Sequence, residues 1–280
     1  MMSSDSLKQI IRKNIIAPYL CKPLSKKLIP ILGCQRSGTT LTFLILTSHP
    51  KIVGFDESDA RFSFSVYSWR TLFKNSLEGN FTCLKLPMKV SELPYITRYY
   101  SNSRIIWPVR SCYATISSMK KLRMTKKTNW LESPLGSVQE LKTLSTLFSE
   151  IKNIDVEHLR QTMPVALGAY VWKYKMLALR QYQKESLDVY DFRFEELVES
   201  PETILPKLLD FIGVPWDDNV LHPEKCQQMR DRLTYVGGTR ADRPIDASRK
   251  SPTLLLSPEE IDCINSICEE QMKLYGYSLI

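Results

Sequence analysis

The chain has 280 residues, 43% of them hydrophobic and 24% charged, which is enough for a full buried core and argues against a disordered or low-complexity polypeptide. Lys and Arg number 38 against 30 Asp and Glu, and the formal charge of +8 suits an anionic ligand or partner without saying which. No apolar run approaches the roughly 18–20 residues of a membrane span. Seven cysteines with no C-x-x-C pair argue against a disulfide framework, and three histidines without shared ligand spacing offer no metal site.

The stretch MMSSDSLKQIIRKNIIAPYL is amphipathic and lacks the apolar core and cleavage site of a signal peptide, so the expectation is a soluble, cytoplasmic protein. From there, short runs rich in Ile, Val and Phe predict strands at 28–33, 51–55, 81–86, 104–109 and 187–194. Helical patterns lie between and after them, over 39–48, 111–121 and 166–185, from Ser200-Pro201 to Gly213, and from Ser257 onward. Alternation of this kind predicts βαβ units and a parallel sheet. Segment 122–161 breaks it, being polar and Lys/Ser/Thr-rich and then helical over 138–154, and is longer than an ordinary connection. The chain therefore reads as a single domain, 1–280, with 122–161 as an inserted lid. Ile116, Met119, Trp172, Leu177 and Leu179 are expected in the core. The cluster Lys120, Lys121, Arg123, Lys126 and Lys127 reads as a solvated face, and His49 and His222, each beside a proline at an element end, as structural.

The chemistry begins at GCQRSGTT, residues 33–40. A strand running into a tight loop and then a helix aims backbone N–H groups and the positive end of the helix dipole at one point, which suits a phosphate or sulfate. Gly33 and Gly38 have the spacing of the Walker A loop, G-x-x-x-x-G-K-S/T, but Thr39 occupies the lysine position. The cation sits instead inside the loop, at Arg36, whose rigid fork of donors grips an anion bidentately. The expected fold class is α/β: a three-layer P-loop-like fold with a central parallel sheet and a helical lid insertion.

QRSGTTLTFLILTSHP resembles the 5′-phosphosulfate loop of sulfotransferases that use 3′-phosphoadenosine 5′-phosphosulfate (PAPS), in the form found in the tyrosylprotein and bacterial branches. IIWPVRSCYATISSMKK resembles the family's second motif, a strand ending in arginine with a serine eight positions on, here Arg110 and Ser118, which the resemblance assigns to the 3′-phosphate. FRFEELVESPETILPKLLDFIGV is similar to a third family stretch, with Phe194 where tyrosine is usual. VLHPE and KLYGYS also resemble the tyrosylprotein branch, so the likeness spans roughly 30–278. ASRKSP is similar to the basic loop that closes on the 3′-phosphate in the cytosolic branch, making Arg249 and Lys250 candidates, although the usual glycine and tryptophan are absent.

The resemblance implies PAPS as sulfuryl donor, no metal, and a nucleotide grip made by Arg36, Ser37, Gly38, Thr39, Thr40, Arg110, Ser118, Arg249 and Lys250. Catalysis is expected from Arg36, which stabilises charge on the bridging oxygen, from Glu57 as general base with Asp56 as the fallback, and from Lys85 of CLKLP as a further cation. The expected acceptor is a small molecule such as a secondary metabolite, sulfated on a hydroxyl or a nitrogen in a pocket lined by 122–161 and 62–69. Neither nucleic acid nor membrane is an expected partner. The alternatives are protein-tyrosine sulfation, a P-loop kinase or NTPase, and a non-catalytic nucleic-acid binder.

Overall fold

The computed structural model describes residues 17–56, 69–185, 187–225, 243–249 and 255–280. Five strands, β1 (Leu28–Ile31), β2 (Ile52–Asp56), β3 (Phe81–Lys85), β4 (Arg104–Val109) and β5 (Asp188–Arg193), form one sheet in the order β2-β3-β1-β4-β5. Every pairing is parallel. Because β1 lies between β3 and β4, the chain leaves it toward one edge and later returns to the other. The crevice beyond the carboxyl end of β1 is therefore where such a sheet takes a ligand.

Both faces of the sheet are covered, and the strand sequences show why. Along β4, Ile105, Trp107 and Val109 join one buried cluster and Ile106 the other, as the two-residue period of a strand requires. The first cluster is closed by α1 (Ala17–Leu24), α4 (Leu93–Tyr99), α5 (Cys112–Lys121), α8 (Pro164–Lys184) and α11 (Pro258–Leu274); the second is closed by α2 (Thr39–Ser48), α9 (Phe194–Glu199) and α10 (Pro201–Ile212). The remaining helices are α3 (Trp69–Leu77), α6 (Gln139–Leu144) and α7 (Val156–Thr162). These three layers match the α/β class read from the sequence, and four of the five strands differ from the predicted bounds only by one or two end residues.

Helix α2 is buried along its whole length. It can lie this close to β2 because position 54 is glycine: a Cβ there would sit 2.3 Å from Thr47 Cγ2 and 2.8 Å from Phe43 Cζ. Ile116, Met119, Trp172 and Leu179 are buried as expected, while Leu177 is only partly covered. His49 is buried, with its Nε2 2.9 Å from the Pro215 carbonyl and its Nδ1 accepting the Lys51 N–H, a joint between elements.

The run 138–154 is not the continuous helix its pattern suggests. Helix α6 ends at Leu144, and a separate 3₁₀ turn covers Ser149–Asn153. The hydroxyls of Ser145 and Thr146 donate to the Lys142 and Thr143 carbonyls, a local alternative to the helix ladder. The segment 122–161 sends Leu131, Leu141, Leu144 and Ile151 into the same core as the sheet.

Candidate active site

The loop after β1 turns sharply, and three of its residues have positive φ: Gly33 at 121°, Arg36 at 70° and Gly38 at 105°. Arg36 is the only non-glycine with positive φ among the described residues. Such a backbone costs about 1–3 kcal/mol and persists only where the surroundings dictate it. Gly38 is the N-cap of α2 and offers no side-chain acceptor to the first turn, opened by Thr39 and Thr40, which leaves the helix N-terminus to an anion. Ser37 stands in the loop for a different reason: its hydroxyl has the Cys34 and Pro108 carbonyls as acceptors at 2.7 and 2.9 Å, and its N–H donates to Cys34. Its donors shape the turn rather than face outward.

Two residues 74 positions from Arg36 or further come to the same place. Arg110, at the end of β4, donates from Nη1 to the Arg36 carbonyl at 3.2 Å, and Arg36 Nε donates to Ser118 Oγ on α5 at 3.0 Å. The Arg110 carbonyl is itself held by the Trp172 indole N–H at 3.0 Å. Arg110 is 8% exposed. Burial pushes it down to about 10, Arg36 adds to the drop, and the Glu195 carboxylate opposes it; burial also lowers Arg36. Two guanidiniums, both still charged at neutral pH, thus crowd into a partly desolvated corner, an arrangement that a doubly anionic ligand relieves.

Phe194 supports this corner from below. The Arg110 guanidinium stacks 4.4 Å from its ring centroid, and a Cβ on Gly38 would lie 2.2 Å from its Cδ2. The next residue, Glu195, accepts the Ser111 N–H at 3.1 Å and the Tyr277 hydroxyl at 2.8 Å, tying the carboxyl-terminal segment to the start of α5.

Lys85 ends β3 beside β2, and its Nζ lies 2.7 Å from Asp56 Oδ2. The fallback base is therefore engaged as the counter-ion of the predicted catalytic lysine. Glu57 and Lys250 lie outside the described residues, as do 62–68 of the predicted acceptor pocket, and the side chain of Arg249 is likewise not described. The structure thus brings together Arg36, Ser37, Gly38, Thr39, Thr40, Arg110 and Ser118, and places Lys85 at the carboxyl end of the strand adjoining β1. Among the described residues, no group of three His, Cys, Asp or Glu side chains is arranged to hold a metal ion.

No family model matches the chain. Protein-tyrosine sulfotransferase 1 of Danio rerio is 21% identical, over 76% of this chain and 60% of that protein, and protein-tyrosine sulfotransferase A of Caenorhabditis elegans is 22% identical, over 69% and 51%. The sulfotransferase domain from the curacin biosynthetic pathway superposes with a TM-score of 0.57 at 18% identity, covering 90% of this chain and 98% of that one. In fold the chain matches sulfotransferase domains, and in sequence it resembles protein-tyrosine sulfotransferases. A second sulfotransferase domain, from the Synechococcus PCC 7002 olefin synthase, superposes with a TM-score of 0.55 at 16% identity over 90% and 95% of the two chains. The chain spans little more than half the length of the curated relatives it matches.

Within this sulfotransferase fold, sequence reasoning missed a buried polar cluster beneath the loop. Lys175 of α8, fully buried, has its ammonium 2.6 Å from Glu140 Oε1, 2.7 Å from Gln35 Oε1, 2.5 Å from the Pro87 carbonyl and 3.2 Å from the Gly33 carbonyl. Gln35 completes the cluster by donating to Glu140 Oε2 at 2.7 Å. The one signal available in advance was a lysine between Tyr174 and Met176, on the apolar stripe of α8.

Proposed function

We propose that this chain is an enzyme transferring a sulfuryl group from PAPS to a hydroxyl, or a nitrogen, of a small-molecule acceptor such as a secondary metabolite. One observation carries the reading: the buried Arg110 and the partly buried Arg36 converge with Ser118 at the N-terminus of α2. That donor set fits a ligand bearing two separate anionic groups. The backbone of Gly38, Thr39 and Thr40 with Arg36 would hold the 5′-phosphosulfate, and Arg110 with Ser118 the 3′-phosphate, with Arg249 and Lys250 closing over the latter. PAPS supplies the activated sulfuryl group when bound.

The protein's own part is positioning and charge. Arg36 presents its guanidinium where negative charge gathers on the leaving oxygen, and Lys85, steadied by Asp56, adds a second cation at the same sheet edge. Glu57, one residue beyond Asp56, is the proposed proton acceptor for the incoming hydroxyl. The scheme assigns no role to a metal. The single-domain organisation is part of the same proposal, with 122–161 and 62–69 forming the acceptor pocket.

The small-molecule acceptor draws support from the structural neighbours, which are domains from the curacin biosynthetic pathway and from an olefin synthase. Protein-tyrosine sulfation is the second reading, favoured by the names of the sequence relatives. A kinase is disfavoured by Thr39, which is 4% exposed at the position of the Walker lysine. The test is thermal shift followed by labelled transfer. Adenosine 3′,5′-bisphosphate should raise the melting temperature while ATP with Mg²⁺ leaves it unchanged, and label from PAPS should enter a small-molecule pool rather than tyrosine peptides. Equal stabilisation by both nucleotides overturns the donor assignment, and labelled peptides alone would establish the second reading.

A further inference from the structure

We infer that Lys175, Glu140 and Gln35 form a positioning device that fixes the anion loop, and so Arg36, relative to Lys85 and to the segment 122–161. The inference rests on the proposed donor reading for its kinetic consequence, but its structural content stands apart from it.

The Lys175–Glu140 pair is 0% and 1% exposed at its side chains. A buried ion pair is weak evidence for stability, since apolar residues of similar volume serve as well or better, so its presence calls for another explanation. The contacts supply one. The ammonium reaches the Gly33 carbonyl, at the start of the loop, and the Pro87 carbonyl, two residues past Lys85. One group therefore spans the two strand ends, β1 and β3, that carry the proposed catalytic cations.

The same ammonium and Glu140 hold opposite ends of the Gln35 amide. Gln35 immediately precedes Arg36, whose left-handed backbone requires outside support, and Ser37 on the other side is pinned by the Cys34 and Pro108 carbonyls. Arg36 is thus clamped from both neighbours. Glu140 belongs to the segment proposed to line the acceptor pocket, so the cluster joins the acceptor wall to the donor loop through side chains alone.

Two variants test this. Gln35→Met leaves the ion pair in place and releases the loop from it; Lys175→Met with Glu140→Met removes the pair while keeping buried volume. Three quantities are read on full-length protein: amide hydrogen exchange of residues 33–40 without ligand, affinity for adenosine 3′,5′-bisphosphate by calorimetry, and kcat and KM with PAPS. Both variants are expected to melt within a few degrees of the wild type, to exchange at 33–40 at least tenfold faster, and to lose about tenfold in kcat with the acceptor KM unchanged. Unaltered exchange and kcat in Gln35→Met overturn the inference, whether or not the double variant folds. Faster exchange in a protein whose wild type neither binds the bisphosphate nor turns over PAPS would retain the positioning device and reject the donor reading instead.

Discussion

Replacing Arg110 with methionine should separate ligand binding from stability. The fall of Arg110 from the ordinary 12.5 to about 10 corresponds to roughly 3 kcal/mol by which the fold disfavours the charged guanidinium. Because the folded value lies below the unfolded one, the unfolded chain binds more protons between those two values, and stability rises with pH only across that alkaline window. At pH 7 the whole penalty is present. Against its removal stand the bond from Nη1 to the Arg36 carbonyl at 3.2 Å and the stacking on Phe194 at 4.4 Å, together worth about 2–4 kcal/mol. The two sides nearly cancel, so ligand-free Arg110→Met should melt within about 4 °C of the wild type. Affinity for adenosine 3′,5′-bisphosphate should instead fall about 100-fold, the loss of about 3 kcal/mol of charge-assisted contact. Differential scanning calorimetry and titration calorimetry on the same samples read the two effects. A drop of more than about 10 °C with affinity inside threefold of the wild type would refute the reasoning, because Arg110 would then be a structural arginine.

Ser118→Ala removes the acceptor of Arg36 Nε, and about 1 kcal/mol, or roughly fivefold in bisphosphate affinity, should go with it while the melting temperature barely moves; calorimetry checks both. Gly38→Ala combines a φ of 105° with a Cβ 2.2 Å from Phe194 Cδ2, and should cost at least about 2 kcal/mol in denaturant unfolding and abolish bisphosphate binding. Glu57→Gln should lower kcat by roughly 10²–10⁴ with bisphosphate affinity unchanged, read by steady-state kinetics beside calorimetry; equal loss of both would make Glu57 a binding residue.

What the sequence made legible was local. Arg36 sits between two glycines at fixed spacing, and Arg110 and Ser118 are placed by one strand end and two turns of one helix, so their meeting follows from short-range geometry once the strands are located. Phe194, Glu195 and Tyr277 were less accessible as a group. Phe194 read as a tyrosine lacking its hydroxyl, whereas its ring serves as the floor for Arg110 and Gly38, a contact fixed only when β5 pairs with β4. Lys175 and Glu140 were hidden for a stronger reason. A lysine in a helical pattern is assigned to solvent by default, and what buries this one is a carboxylate 35 positions earlier, in a segment whose helix is cut short by its own serine and threonine hydroxyls.

In the proposed site, the loop's selection of an anion would come as much from what is done to its carbonyls as from its N–H groups. The Gly33 oxygen is held by Lys175, the Cys34 oxygen by Ser37, the Arg36 oxygen by Arg110, and the Gly38 oxygen by the Thr42 N–H and hydroxyl. Each trans peptide sets its N–H opposite its carbonyl, so engaging these oxygens turns the N–H groups of Cys34, Gln35 and Thr39 the other way. Four acceptors that would repel a phosphate or sulfate are thereby occupied, two of them by cations. A Walker loop places its lysine on the ligand; here Lys175 grips the loop's backbone at the Gly33 carbonyl, and the proposed ligand-facing charge is that of Arg36. The absent lysine at position 39 is consistent with that division: Thr39 opens a helix buried along its whole length, and in the proposed site Arg36 and Arg110 already supply two cations.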